Sequence, residues 1–171
     1  MRTTFSAERM EYTKRAHLAA REQFYPAMFS HLPIRFEDTV GTVRDLKYAI
    51  DCQLAVKVAG LGAPLRFSVQ ERWRRPTYRH FGDVSITERN LASGEPSELH
   101  KFGAQLFVYG FYDDRTARIE AAVALRAVVM LRQLALGRLE YGRRARIDQT
   151  FLTFPLTILE SIGAVDFKYC A

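Results

Sequence analysis

The chain opens with a long stretch in which apolar residues recur at helical spacing. Between Ser6 and Phe29 the apolar positions fall on the faces of one long helix, with polar residues between them. Ser6 is suited to cap the start of this helix. Pro26 lacks a backbone N–H, so we expect it to kink the helix or to end it early.

Two segments rich in apolar, β-branched and aromatic residues follow, at 48–58 and 65–74. The sequence between them, Gly60–Pro64, is a turn, so the two segments predict an antiparallel hairpin. A shorter strand is expected around Ile34–Phe36, followed by a polar turn from Glu37 to Gly41.

The second half of the chain alternates between strand-like and helix-like segments. It predicts a strand at Val84–Thr87, a short helix capped by Ser97, a strand at Ala104–Tyr112, a helix over 116–136 that ends at Gly137, a strand at Thr150–Phe154, a helical piece at Leu156–Ile162 and a strand at Val165–Tyr169. This order predicts an α+β fold, an α/β sandwich around a central mixed sheet whose hairpin is flanked by helices.

The composition fits one soluble domain with a polyanion-binding surface. The 171 residues are 48% hydrophobic and carry a net charge of +6. Only five of the 25 basic residues are lysines, which leaves 25 − 5 = 20 arginines. Arginine binds phosphate through a planar, bidentate fork, so this bias suits a polyanion partner. A GC-rich genome would produce the same bias without any function.

The cysteines and the apolar stretches indicate a cytoplasmic protein. Two cysteines, Cys52 and Cys170, are too few for a disulfide framework. The longest apolar stretch, Ala121–Leu136, is interrupted by Arg126 and Arg132 and does not reach the ~20 apolar residues of a membrane span. The first ten residues lack the apolar run of a signal peptide. We therefore expect a reducing compartment and no membrane.

Three polar residues on the predicted hairpin are the leading site candidates. Asp51 lies in an otherwise apolar strand, where a carboxylate is costly unless a metal ion or a cationic side chain compensates it. Gln70 and Arg72 are two residues apart on the next strand, so both face the same side of the sheet.

These elements and this spacing resemble the PD-(D/E)xK nuclease superfamily, whose core is restriction-endonuclease-like. Tyr48-Ala49-Ile50-Asp51 is similar to the family's Asp segment. Ser68-Val69-Gln70-Glu71-Arg72-Trp73 is similar to the Gln-x-Lys segment of the Mrr-like branch, with Arg in place of Lys. The resemblance covers about residues 7–112 and leaves 113–171 as C-terminal additions to a single nuclease-like domain.

The resemblance implies a Mg²⁺ (or Mn²⁺) site formed by Asp51 and the amide oxygen of Gln70, with Arg72 stabilising negative charge on a phosphate. Arginine does not lose its proton, so Arg72 is a poor general base. A register slip of one residue would put Glu71 in the site instead of Gln70. Glu22 or Glu11 of the first helix is a candidate for a further acidic ligand. An alternative without catalysis is a structural ion pair between Asp51 and Arg72.

The segment after the hairpin combines arginines with aromatic residues, which suits nucleic-acid binding. The candidate contacts are Trp73, Arg74, Arg75, Tyr78 and Arg79, with phosphates bound by the arginines and bases or sugars stacked on the rings. The same segment also fits a basic loop whose aromatic residues fill the core.

Other polar residues are weaker candidates. Asp83 and Glu98 fit capping or supporting roles, and the basic cluster Arg143–Arg146 fits either a second phosphate contact or a solvated run of charge. The four histidines lack zinc-site spacing, and no phosphate-binding glycine loop is present.

The sequence therefore predicts Mg²⁺-dependent hydrolysis of DNA phosphodiester bonds, with RNA as another substrate and a homodimer as the form that the resemblance implies. The alternatives are a catalytically inactive module of the same fold that binds nucleic acid or protein, and an assembly protein that self-associates through a sheet edge.

Overall fold

The computed structural model describes residues 7–91, 93–94 and 97–171. Their strands are β1 Ile34–Asp38, β2 Cys52–Val56, β3 Leu65–Arg74, β4 Asp83–Asn90, β5 Leu106–Asp113, β6 Arg118–Arg126, β7 Gly142–Ala145, β8 Gln149–Pro155 and β9 Val165–Cys170. Their helices are α1 Ala7–Ala19, α2 Tyr25–Met28, α3 Val43–Tyr48, α4 Glu98–Lys101, α5 Ala127–Ala135 and α6 Leu156–Ser161, with a π-helical turn at Ala20–Phe24 and a 3₁₀ helix at Pro76–Phe81.

The strands form two sheets, and the predicted α+β class with a central mixed sheet is confirmed. The central sheet has six strands in the order β1-β2-β3-β5-β6-β9. It is mixed because β3 and β5 run parallel while its other neighbours are antiparallel. The second sheet has three antiparallel strands in the order β4-β8-β7.

Two hydrophobic cores cover the two faces of the central sheet. One face packs against α1, the π-helical turn and α2, with Phe24 and Tyr25 fully buried. The other face packs against the second sheet, α5 and α6, with Phe107 and Phe154 fully buried. Alternation along each central strand therefore decides which of two different environments a side chain enters.

The hairpin and the first helix agree with the prediction. Strands β2 and β3 pair antiparallel, with Cys52 opposite Val69 and Val56 opposite Leu65. The helix runs from Ala7 to Met28 and does not end early at Pro26. Its hydrogen bonding changes to π-helical just before the proline, which accommodates the missing N–H. Ser6, the expected cap, lies outside the described residues.

Two predicted boundaries and one predicted helix cap are wrong. The residues before β2 form helix α3, so Tyr48 ends a helix and Asp51 precedes the strand. Glu37 and Asp38 belong to β1 and not to a turn. Ser97 occupies the position before α4, but its side chain makes no capping hydrogen bond.

The predicted helix over 116–136 is the largest error. Its first half is strand β6, which lies between β5 and β9, and only Ala127–Ala135 is helical. A strand with neighbours on both sides and both faces covered carries a nearly continuous apolar run. Such a run has no clear period, so it resembles a buried helix.

None of the helices in the described ranges is long and apolar enough to cross a bilayer.

Candidate functional site

Strand β3 presents alternate side chains to the two faces of the central sheet. Gln70 and Arg72 point toward the second sheet, and their partners on β5, Phe107 and Tyr109, belong to the core on that side. Glu71 and Trp73 point toward the first helix. The predicted shared face of Gln70 and Arg72 is present, and the register that would place Glu71 beside them is not.

Gln70 and Arg72 meet at one carboxylate, that of Glu98 at the start of α4. The Gln70 amide nitrogen donates to Glu98 Oε1 at 3.0 Å, and Arg72 Nη1 forms an ion pair with Glu98 Oε2. Arg72 Nη1 also donates to the Thr87 hydroxyl at 2.9 Å, and the Thr87 backbone N–H donates to Glu98 Oε2 at 3.1 Å. The alternative ion pair between Asp51 and Arg72 is therefore wrong, since Arg72 pairs with Glu98.

The side-chain oxygen of Gln70 has no hydrogen-bond partner although it is buried. Glu98 accepts from the amide NH₂ group, and this contact fixes which end of the amide carries the oxygen. A buried acceptor without a partner costs about 1–3 kcal/mol. The arrangement keeps an oxygen ligand available on this face of β3.

Asp51 immediately precedes β2, at the end of the segment over which β2 pairs with β3. Its backbone N–H donates to the Val69 carbonyl at 2.8 Å, and its Oδ2 accepts from the Glu71 backbone N–H at 2.7 Å. Asp51 therefore lies beside the Gln70–Glu71 peptide. Burial raises the pKa of the Asp51 carboxyl well above its usual value, and the Glu71, Asp45 and Glu98 charges add to this although the Glu71 N–H opposes it.

Glu71 is part of a buried network on the helix face. Tyr25 donates to Glu71 Oε1 at 2.5 Å and Trp73 Nε1 donates to Oε2 at 2.7 Å. His17 Nδ1 lies 3.3 Å from Oε2, and Cys52 Sγ lies 3.7 Å from Oε1. Because both its oxygens accept these hydrogen bonds, Glu71 links β3 to the first helix. The alternative assignment of Glu71 as a ligand on the Gln70 face is therefore wrong.

The acidic ligand expected from the first helix is also absent from this face. Glu22 and Glu11 are exposed, and their helix packs on the face opposite Gln70. Within the described ranges, no three His, Cys, Asp or Glu side chains are grouped to hold a metal. What remains is the Asp51 carboxylate and the free Gln70 oxygen. Both are oxygen groups of the kind that Mg²⁺ binds, and Mg²⁺ keeps several waters and needs only one or two carboxylates.

The predicted nucleic-acid contacts separate into three places. Trp73 is buried against Glu71 and is unavailable for stacking, so that assignment is wrong. Arg75 pairs with Glu8 at 2.9 Å, and Arg79 lies 3.9 Å from Glu120. Arg74 and Tyr78 instead line a pocket on the Gln70 face of β3. The segment is therefore not one continuous binding loop.

The sequence did not predict Glu98 as the residue that joins Gln70 to Arg72. Glu98 is 28 residues from Gln70, and only the packing of α4 against β4 brings the two together. A Thr-x-x-Asp capping pattern at Thr42–Asp45 was a usable signal for helix α3, and it would have corrected the start of β2.

A similar chain is found among solved structures. It is a nuclease from a fusselovirus, 12% identical to this chain, with 95% of this chain and 94% of the other covered and a TM-score of 0.37. No protein-family model matches the sequence, and no curated protein matches it.

Proposed function

We propose that this chain is a Mg²⁺-dependent nuclease that hydrolyses phosphodiester bonds of DNA, at a site formed by Asp51, Gln70 and Arg72. The observation that carries the proposal is the buried, unpartnered oxygen of Gln70 on the strand edge where Asp51 is desolvated among like charges. Both groups are costly as they stand, and one divalent cation would satisfy both. The site composition also agrees with the PD-(D/E)xK pattern of Asp, Gln and a basic residue.

The chain's own residues have distinct parts in this chemistry. Asp51 and the Gln70 oxygen would hold the cation, which when bound polarises a phosphodiester oxygen and lowers the pKa of an attacking water. Glu98 orients both neighbours, because it holds the Gln70 amide by its NH₂ group and fixes the Arg72 guanidinium. Arg72 stabilises the negative charge that develops on the phosphate, and it does not take a proton.

The test is cleavage of plasmid and single-stranded DNA in Mg²⁺ or Mn²⁺ by wild type and by Asp51→Asn. Wild type should cleave. The cleavage rate of Asp51→Asn should fall by more than roughly 10- to 100-fold, which is the loss expected when only a residue that supports a metal ligand is removed. Glu22→Ala, an exposed acid of the first helix, is the control and should cleave like wild type. Cleavage that survives Asp51→Asn would rule out this site.

A second readout does not depend on turnover. Mg²⁺ that binds the folded chain raises its Tm by mass action, and Asp51→Asn should abolish this shift while Glu22→Ala keeps it. A shift of equal size in all three proteins would place the cation elsewhere.

The second candidate function is a nucleic-acid-binding module without catalysis. It is favoured by the Arg72–Glu98 ion pair, since the residue in the place of the family's Lys can neither lose its proton nor leave its partner cheaply. DNA binding by a wild-type protein that cleaves neither substrate would select this function.

We propose that the activity is cytoplasmic. Cys52 is buried and Cys170 exposed, and both are free thiols, which suits a reducing compartment. RNA remains in the proposal as an alternative substrate, and a homodimer as the assembly to test by light scattering.

A further inference from the structure

A pocket with charged, hydroxyl and aromatic side chains in its lining lies beyond the proposed catalytic site, on the same face of β3. It has a volume of about 260 Å³ and opens between the end of β3, the 3₁₀ helix and strands β7 and β8. Its charged lining residues are Arg74, Arg144, Arg146 and Asp83. We call it the Arg74 pocket.

The Arg74 pocket has more positive charge than its own acid can neutralise. Asp83 pairs with Arg144 at 2.8 Å. Neither Arg74 nor Arg146 forms an ion pair with any acidic side chain that the structure describes. Two guanidinium groups therefore remain for an anion from outside the chain.

Arg74 is the most unusual of these groups. One of its terminal nitrogens donates to the Ser85 hydroxyl at 2.7 Å, while its Nε is buried with no partner. Burial and the nearby charge of Arg72 lower the pKa of Arg74 from its usual value. A partly buried cation held by a neutral hydroxyl is costly, and a bound anion would remove much of that cost.

Aromatic rings hold the arginines in place before any ligand arrives. The Arg74 guanidinium lies 5.8 Å from the Tyr78 ring and 5.7 Å from the Phe151 ring, and Arg146 lies 5.8 Å from the Tyr78 ring. Stacked guanidinium groups keep their planar forks oriented, which reduces the entropy lost on binding a phosphate. The same rings offer a sugar or base a surface to pack against.

We propose that the Arg74 pocket binds the terminal phosphate of a nucleic-acid strand. A terminal phosphate carries about −1.5 to −2 charges near neutral pH, which matches the two guanidinium groups without an acidic partner. The pocket is smaller than the ~300–1,000 Å³ of ordinary ligand sites, so it accepts an end and not a passing duplex. This inference rests on the proposed function for the identity of the strand.

The pocket and the proposed catalytic site lie along one strand. Arg72 and Arg74 both lie over the Phe151 ring, at 5.4 and 5.7 Å. Gln70 and Arg74 are four residues apart on β3, or about 13 Å. At the about 3.4 Å rise of one strand in a duplex, a few nucleotides span that distance. An anchored end would thus present a nearby phosphodiester bond to Asp51 and Gln70.

The experiment compares short single-stranded oligonucleotides that differ only at their ends. Fluorescence anisotropy in EDTA measures the Kd of wild type for strands with a 5′-phosphate, a 3′-phosphate or hydroxyls at both ends. Wild type should bind one phosphorylated form at least about tenfold more tightly, as one or two charge-assisted hydrogen bonds provide. Equal affinity for all three strands would overturn the inference.

Variants assign the preference to the pocket. Arg146→Gln changes an exposed residue and should fold normally, and both it and Arg74→Gln should lose most of the preference. Arg66→Gln, an exposed arginine at the other end of β3, is the matched control and should keep it. A preference that survives both pocket variants would also overturn the inference.

The outcome separates this inference from the proposed function. A wild-type protein that cleaves DNA but ignores the end group refutes the phosphate pocket alone. One that prefers the phosphorylated end but cleaves nothing in Mg²⁺ or Mn²⁺ refutes the nuclease and retains the pocket. Asp51→Asn should keep the end preference, because Asp51 does not line the pocket.

Discussion

At the scale of single residues, the Asp51 carboxyl links the proposed cation site to the stability of the fold. Its pKa is raised in the folded chain, mainly by burial, from an ordinary value near 3.8. A carboxyl with a raised folded-state pKa contributes stability that is fully present below pH ~4 and is lost as the pH rises through the raised pKa.

Asp51→Asn should remove this loss, since asparagine is neutral and its side-chain oxygen can still accept from the Glu71 N–H. Without divalent cations, the free energy of unfolding of the variant minus that of wild type should therefore grow between pH 4 and pH 8. Urea unfolding at a series of pH values measures it. A difference that stays constant with pH would mean that Asp51 titrates normally in the folded chain.

Glu71 should be a residue of stability. Replacing it with alanine leaves the Tyr25 hydroxyl and the Trp73 N–H without their acceptor in a buried place. We expect Glu71→Ala to lower the free energy of unfolding by about 3 kcal/mol or more, and Glu22→Ala, which is exposed, to change it little. Unchanged stability in Glu71→Ala together with a lost Mg²⁺ response would instead return Glu71 to the metal site.

The face of the sheet on which a site residue lies is predictable from sequence where strand alternation alone decides it. The shared face of Gln70 and Arg72 follows from their spacing of two. The role of Glu98 could not be predicted, because its contact with both depends on how the β4 excursion returns to the central sheet. Trp73 was misassigned, since an aromatic residue beside arginines has the same local pattern whether it stacks on a base or fills a core.

At the scale of elements, strand β5 leaves no room for a side chain at Gly110, where it pairs with β3. Gly110 stands opposite Trp73 in the parallel pair. A Cβ on Gly110 would lie 2.4 Å from Trp73 Cζ3, 2.7 Å from Ala122 Cβ and 2.9 Å from the Ala121 carbonyl oxygen. The glycine therefore allows the Trp73 ring to pack over β5. In this position the Trp73 N–H donates to Glu71, which contacts the first helix.

Gly110→Ala should cost about 1–3 kcal/mol, because neither the indole nor the neighbouring backbone can move without disturbing the core. Thermal unfolding should show a Tm several degrees below that of wild type. Gly62→Ala is the matched control, since a Cβ there meets nothing within 4 Å. Equal Tm values for the two variants would show that the contact at Trp73 is soft.

The elements that sequence predicts correctly are those set by local signals, and the errors fall where contacts between elements decide the structure. The β2–β3 hairpin has a glycine-rich turn and β-branched residues, which are local signals, and it was predicted correctly. The β6 strand and α5 helix follow each other in one apolar run, and only their neighbours β5 and β9 decide where strand gives way to helix. Strand β7 is exposed along its whole length and has no hydrophobic pattern to find.

At the scale of the whole molecule, the excess of arginine overstates the surface available to a polyanion. Many arginines are paired with acids of the same chain, among them Arg21 with Asp38, Arg44 with Glu37 and Arg143 with Glu88. An arginine already paired must exchange its partner to bind a phosphate. The number of phosphates contacted should accordingly be far below the 20 arginines of the sequence.

The salt dependence of DNA binding tests this count. If Arg74 and Arg146, the two arginines of the Arg74 pocket without an acidic partner, supply most of the phosphate contacts, log K for single-stranded DNA should fall with log salt at a slope of about −1.4, since each contact contributes about −0.7. Arg146→Gln should make the slope about 0.7 shallower. Arg115→Gln, which alters an exposed arginine at the β5–β6 turn, should leave it unchanged. A slope near zero would mean that the partner is not a nucleic acid. A slope steeper than about −6 would require a much larger basic surface, on which the paired arginines leave their acids when the strand binds.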